Sequence, residues 1–350
     1  MSAGVSEVLR KQGRICAAMG SPMYGWLLER IAADVEDSGV FADVLAGHRD
    51  DPIETAVALR LLGGLHRLVL DGTAGQLAPL YPSAGGRFSS ADGERSWPDI
   101  VSAARAGAAR LRAALDHPPQ TNEVGRSAAL TGALLRLVDR NPYPVRLFEI
   151  GASAGLNLRA DHYRYRYADG EWGPTQSPVV IEDAWHGVRP PEVPLRIIER
   201  HGFDIAPVDA TTAAGRLELL SYVWPDMTTR VARLHGALDV AARVPAGLDR
   251  MPAGQAVAGL RLVRGTLTVL WHSITWQYLS NDERRAVTTG AEALGAQADT
   301  ASPFVWLSLE PMRRTPGTRM EFVVRARSWP AGTDEIFGIC SPHGPPVIWH

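Results

Sequence analysis

Glu149, Gly151, Ser153 and Gly155 fall within one short stretch, Val145-Arg-Leu-Phe-Glu-Ile-Gly-Ala-Ser-Ala-Gly-Leu-Asn157. An apolar run there gives way to a turn built of Gly, Ala and Ser, and the turn leads into a segment compatible with a helix. A buried strand, small residues and a helix N-terminus together form a place where backbone can touch a ligand. Glycines at 151 and 155 allow the tight bend and the close approach that a side chain would block. Glu149 ends a strand that otherwise reads as buried, and a buried carboxylate needs a partner. Ser153 puts a hydroxyl at the centre of the bend.

Two chemistries fit these residues. As E-x-G-x-S-x-G the stretch resembles the Gly-rich turn of Rossmann-like S-adenosylmethionine methyltransferases. As G-x-S-x-G it resembles the nucleophile elbow of serine hydrolases, with downstream acids and His343 to complete a triad. Both demand strand, turn and helix, so the order of the remaining elements must decide.

Composition narrows the field. The chain has 350 residues, 45% of them hydrophobic, which is enough for a large core in one or two domains. Its formal net charge of -2 gives no global attraction to nucleic acid or anionic lipid. Arginines and acids are interspersed without a basic run, so no nucleic-acid partner is expected. Cys16 and Cys340 are the only cysteines, which excludes a disulfide framework. The histidines are scattered and form neither H-E-x-x-H nor H-x-x-x-H, so no metal is expected. The N-terminus lacks a signal-peptide core, and no apolar run approaches the ~20 residues of a membrane span. The expectation is a cytoplasmic protein with no membrane partner; nothing in the sequence specifies an oligomeric state.

Apolar periodicity predicts helices over 24–35, 52–70 (capped by Asp51), 99–115 and 121–138 (capped by Thr121 or Asn122), with no strand before Val145. Beyond it, the alternation Tyr163-Arg-Tyr-Arg-Tyr167 and the run 179–185 read as an inserted hairpin. Strands are then expected from 195, over 266–271 and over 303–309. Helices are expected over 213–223, 229–243 and 282–294, and an antiparallel pair over 320–326 and 335–340. A final extended piece covers 346–349. The expected fold is α/β, a Rossmann-like sheet of the class I methyltransferase type over 144–350, preceded by an all-helical cap or substrate domain over 1–143.

Element order favours the methyltransferase. A hydrolase elbow follows several strands, whereas here the Gly-rich turn follows the first. Ser153 is the departure, standing where many methyltransferases carry glycine and narrowing the backbone approach. The chain also resembles, over nearly its full length, a family of unknown function (domain of unknown function 2332). The segments that carry this resemblance include His66-Arg-Leu-Val-Leu-Asp-Gly72, Tyr81-Pro-Ser-Ala-Gly-Gly86, Gln120-Thr-Asn-Glu-Val-Gly-Arg126 and Glu149 to Asn157. Further ones are Tyr163 to Tyr167, Trp224-Pro-Asp226, His272-Ser273 with Trp276-Gln-Tyr278, and His343-Gly344.

The methyltransferase reading assigns Glu149, Gly151, Ser153, Gly155 and Asn157 to S-adenosylmethionine, with Glu149 taking its ammonium group. Asp204 takes the ribose hydroxyls, with Asp183 and Asp209 as rivals. His272, at a strand end, is the candidate base. Tyr81, Asn122, Glu123, Arg126, Tyr163, Trp276 and Tyr278 are the candidate contacts to a small-molecule substrate. The alternatives are a hydrolase acting through Ser153, or a binding protein that keeps the fold without the chemistry.

Overall fold

The protein is described by a computed structural model, over residues 4–314, 317 and 319–350. Six α-helices come first: α1 (Val5–Ala18), α2 (Pro22–Glu36), α3 (Val40–Val44), α4 (Val57–Leu70), α5 (Ser90–Ala106) and α6 (Ala108–Leu115). After α7 (Ser127–Arg140) come β1 (Val145–Ile150), β2 (Arg164–Tyr167), β3 (Gly170–Trp172), β4 (Val180–Ile181), β5 (Trp185–Gly187) and β6 (Ile197–Asp204). Next are α8 (Ala213–Ser221), α9 (Thr228–Ala241), β7 (Gly247–Arg250), α10 (Ala253–Gly259), β8 (Leu267–Ser273) and α11 (Asn281–Gly295). The chain closes with β9 (Phe304–Met312), β10 (Glu321–Trp329), β11 (Thr333–Ser341) and β12 (Gly344–Trp349).

Two compact units result. One takes Met1–Thr121 and Thr212–Ala232, the other Asn122–Thr211 and Arg233–His350. The first is helical, with a core that joins Leu9, Leu27, Leu28, Ile31, Leu61, Leu65 and Leu111 to Trp224. Ser21 caps α2 by accepting from the Tyr24 amide, and Pro22 sits at the first helical position, where its missing N–H is harmless. Asp226 reaches the same helix end, accepting from the Ser21 hydroxyl at 2.5 Å and the Met23 amide at 2.8 Å. That explains the place of Trp224-Pro-Asp226 in the sequence: the segment returns to cap a helix.

The second unit is mixed α/β. Its main sheet runs β5-β12-β11-β10-β9-β8-β1-β6-β7, and a smaller one runs β3-β2-β4. From β9 through β8, β1 and β6 to β7 every pairing is parallel; β9 to β12 pair antiparallel. Every residue of β8 is buried, as a strand covered on both faces requires. Phe148, Ile150 and Leu270 face a core shared with α10 and α11.

Several local expectations fail for tertiary reasons. The helix expected over 52–70 begins as a short 3-10 turn, and α4 starts only at Val57 after Ala56 at φ +57°. Asp51 does not cap it; its carboxylate takes Arg60 and His48 instead. The helix expected over 99–115 is two helices divided at Gly107, where a side chain would run into Leu68. Neither Thr121 nor Asn122 caps α7, which begins at Ser127. The turn at 151–155 leads into a kinked 3-10 segment, Leu156–His162, and not into an α-helix. Residues 179–185 do not form one strand, because Asp183 adopts φ +54° and sends β5 to the main sheet. No element was expected over 244–260, where β7 and α10 lie.

Candidate functional site

The strand order reverses at β1: the chain goes from β1 outward to β6 and β7, then returns to β8 and β9 on the other side. In open α/β sheets such a point leaves a crevice beyond the strands' carboxyl ends. Glu149 is the last residue but one of β1, level with Gly202 of β6 and Trp271 of β8. It is 2% exposed, and its Oε2 has no hydrogen-bond partner. Burial pushes its carboxyl up to about 8; the nearby charge of Arg126 opposes the rise, Asp204 adds to it, and the Trp271 indole and Arg159 oppose it. A neutral, under-satisfied acid at such a point of the sheet is able to bind a cation or to hold a proton.

The turn after Glu149 is held from within. Gly151 and Gly155 have φ of +68° and +64°, and Ser153 shares that left-handed region at +51°. The amides of Gly151 and Ala152 donate to the Phe203 carbonyl, and that of Ser153 donates to Asp204 Oδ2 at 2.8 Å. Gly155 donates to the Ala152 carbonyl, and Leu156 to Asn122 Oδ1 at 2.8 Å. A Cβ on Gly151 would lie 2.3 Å from the Thr275 hydroxyl oxygen, so the glycine is demanded by packing as well as by φ. These amides are spent on the fold and form no anion cradle.

Around Glu149 the expected residues converge in part. Asn157 is buried, donates from Nδ2 to the Glu123 carbonyl at 3.4 Å, and leaves Oδ1 without a partner. Glu123 accepts the Gly125 amide at 3.0 Å and stands 3.5 Å from His343 Nδ1. Arg126 donates to the carbonyls of Ser273 and Pro342, tying the end of β8 to the β11–β12 turn. The two loops cross backbone on backbone: a Cβ on Gly125 would sit 2.2 Å from the His343 carbonyl oxygen, and one on Gly344 2.2 Å from that of Gly125. Asn122, Glu123, Arg126, Glu149, Asn157 and Asp204 therefore belong to one constellation, and His343 joins them.

His272 takes the other face. Glu149 is level with Trp271, so the next residue of β8 projects oppositely. It is 2% exposed and stacked on Trp276 at 5.4 Å. Glu310, at the end of β9, accepts from His272 Nδ1 at 2.7 Å and from the amides of Thr275 and Trp276 at 2.9 and 3.2 Å. An acceptor-only carboxylate calls for a proton on Nδ1, and Nε2 has no hydrogen-bond partner. Thr275 links the two faces, with its side chain against Gly151 and its amide on Glu310.

Other candidates lie elsewhere. Tyr81 belongs to the helical unit, where it stacks on His66. Tyr163 is fully buried and donates its hydroxyl to the Leu156 carbonyl. Tyr278 is 75% exposed. Asp183 pairs with His186, and Asp209 accepts from Thr211. Glu310 was missed by sequence reasoning; its one local signal is an acid at the end of a strand pattern, before Pro311. Among the described residues no group of His, Cys, Asp and Glu is arranged to hold a metal ion. Nor is any helix among them long and apolar enough to cross a membrane.

No curated protein and no solved structure matches the chain. Residues 6–349 match the family described as "Uncharacterized protein conserved in bacteria (DUF2332)". With nearly the whole sequence covered, the chain belongs to that family.

Proposed function

We propose that the sheet unit is Rossmann-like and binds S-adenosylmethionine at the carboxyl ends of β1, β6 and β8, for methyl transfer to a small molecule. The observation that carries this reading is the buried Glu149 with its unsatisfied Oε2 at the point where the strand order reverses. Numbered by their sequence, the five parallel strands lie in the order 3-2-1-4-5, the order of a doubly wound nucleotide-binding sheet.

The residues present fit parts of the ligand. Glu149 and Asn157 each offer an unused oxygen to an ammonium group. Asp204 ends the strand next to β1, where an acid serves ribose hydroxyls; each of its oxygens takes one amide and keeps a further lone pair. When bound, S-adenosylmethionine supplies an electrophilic methyl on a sulfonium centre. The chain's own work is alignment and exclusion of water. His272, oriented by Glu310, can accept a proton at Nε2. A binding protein without chemistry is the second reading, favoured by the turn whose amides are already spent.

Calorimetry with S-adenosylmethionine and S-adenosylhomocysteine tests the proposal. Saturable binding of both is expected, with methyl transfer separating enzyme from binder. No heat at millimolar ligand contradicts both readings of this site.

A further inference from the structure

A second constellation lies wholly within the helical unit, where α4, the turn at 82–85 and the end of α8 meet. His66 sits on α4 and is 1% exposed. Its Nδ1 is 3.0 Å from the carbonyl oxygen of Ser221, and its Nε2 is 2.7 Å from Ser83 Oγ. A carbonyl oxygen only accepts, so Nδ1 carries the proton and bare Nε2 accepts from the Ser83 hydroxyl. Base, hydroxyl and orienting acceptor thus stand in the order of a nucleophilic triad, with a backbone carbonyl in the third place. We propose that Ser83 is a nucleophile activated by His66, and that the helical unit cleaves carboxylic esters through an acyl-Ser83 intermediate.

The surroundings support this assignment. Ser221 is the last residue of α8, so its carbonyl is one of the helix's unsatisfied acceptors and lies at the negative end of its dipole. That end stabilises the imidazolium that forms when His66 takes a proton. Burial holds the imidazole well below its ordinary range, at about 4, so it is in the neutral, proton-accepting form at pH 7. Tyr81 stacks on the imidazole at 5.6 Å and fixes its plane.

The turn that presents Ser83 is rigid. The amides of Ala84 and Gly86 donate to the Tyr81 carbonyl, and that of Gly85 to Pro82. Ser83 is half-buried, and Ala84 and Gly85, which follow it in the turn, are exposed, so the turn lies at the surface.

The step balances without a cofactor. Ser83 Oγ forms a bond to the ester carbonyl carbon while its proton passes to His66 Nε2. The alkoxy C–O bond breaks and the leaving alcohol takes that proton. Water then attacks the acyl group by the same route, releasing the acid and restoring the hydroxyl.

The test is to treat the full chain with a fluorophosphonate probe, map the adduct by mass spectrometry, and follow hydrolysis of p-nitrophenyl acetate. The adduct is expected on Ser83, with ester turnover lowered by about 100-fold or more in both Ser83→Ala and His66→Gln. Mapping on the wild-type chain decides the matter even if the His66 variant does not fold. An unlabelled chain, an adduct on Ser153 or another serine, or full turnover by Ser83→Ala overturns the proposal.

Discussion

At Glu149 burial sets the protonation state. Its folded-state carboxyl lies at about 8, against an ordinary value of 4.5. Between those values the folded chain holds a proton that the unfolded chain has released, so stability falls as pH rises through the window and levels off above it. The slope approaches about 1.4 kcal/mol per pH unit at most. Glu149→Gln keeps the shape and removes the titration. Urea denaturation of the variant should show a gain over wild type that grows from pH 5 to 8; a pH-independent difference would mean that the carboxyl is not buried neutral.

Three donors converge on Glu310 Oε1. Hydrogen bonds to a charged acceptor contribute more than neutral ones, so Glu310→Gln should lower stability by about 2 kcal/mol. Tryptophan fluorescence can follow this, because Trp276 and Trp306 stand beside His272. An unchanged urea midpoint would contradict the role given to Glu310.

These two acids also show what a sequence displays. Glu149 is legible because an acid closing an apolar run breaks the pattern of a buried strand. Glu310 carries the same signal after the run 303–309, but its role does not show, because the histidine it orients lies 38 positions away.

At the scale of elements, the site is made where loops cross. The segment 122–126 and the turn 341–344 touch through Gly125 and Gly344, with Arg126 bridging to β8. A methyl group on Gly125 would fall 2.2 Å from a backbone oxygen that has little freedom to move. Gly125→Ala should therefore cost about 2–4 kcal/mol and loosen Arg126 from Ser273. Gly85→Ala is the contrast: only the left-handed φ of +85° opposes it, so about 1 kcal/mol is expected. Equal losses in thermal denaturation would argue against the crossing.

Element type was readable wherever an apolar period was long, as in α2, α11 and β8. It failed where a distant partner captured a residue. Asn122 has the chemistry of a helix cap, yet its side chain holds the Leu156 amide 34 residues on. β7 escaped notice because its residues are mostly exposed, so no buried run marks it.

At the scale of the whole molecule, the two proposals fall in separate units: a buried acid near the carboxyl end of β1 in a mostly parallel sheet, and a histidine–serine pair among helices. Membership of an uncharacterised bacterial family fits both and specifies neither. The central claim is that Glu149 gives up its proton to receive a ligand ammonium. Titration calorimetry with S-adenosylhomocysteine in two buffers of different ionisation enthalpy, from pH 5 to 7, tests it most directly. Wild type should release close to one proton per ligand, with affinity rising toward about tenfold per pH unit. Glu149→Gln should bind about tenfold or more weakly, with no such proton release. Binding that is absent, insensitive to pH, or equal in the variant would contradict the account.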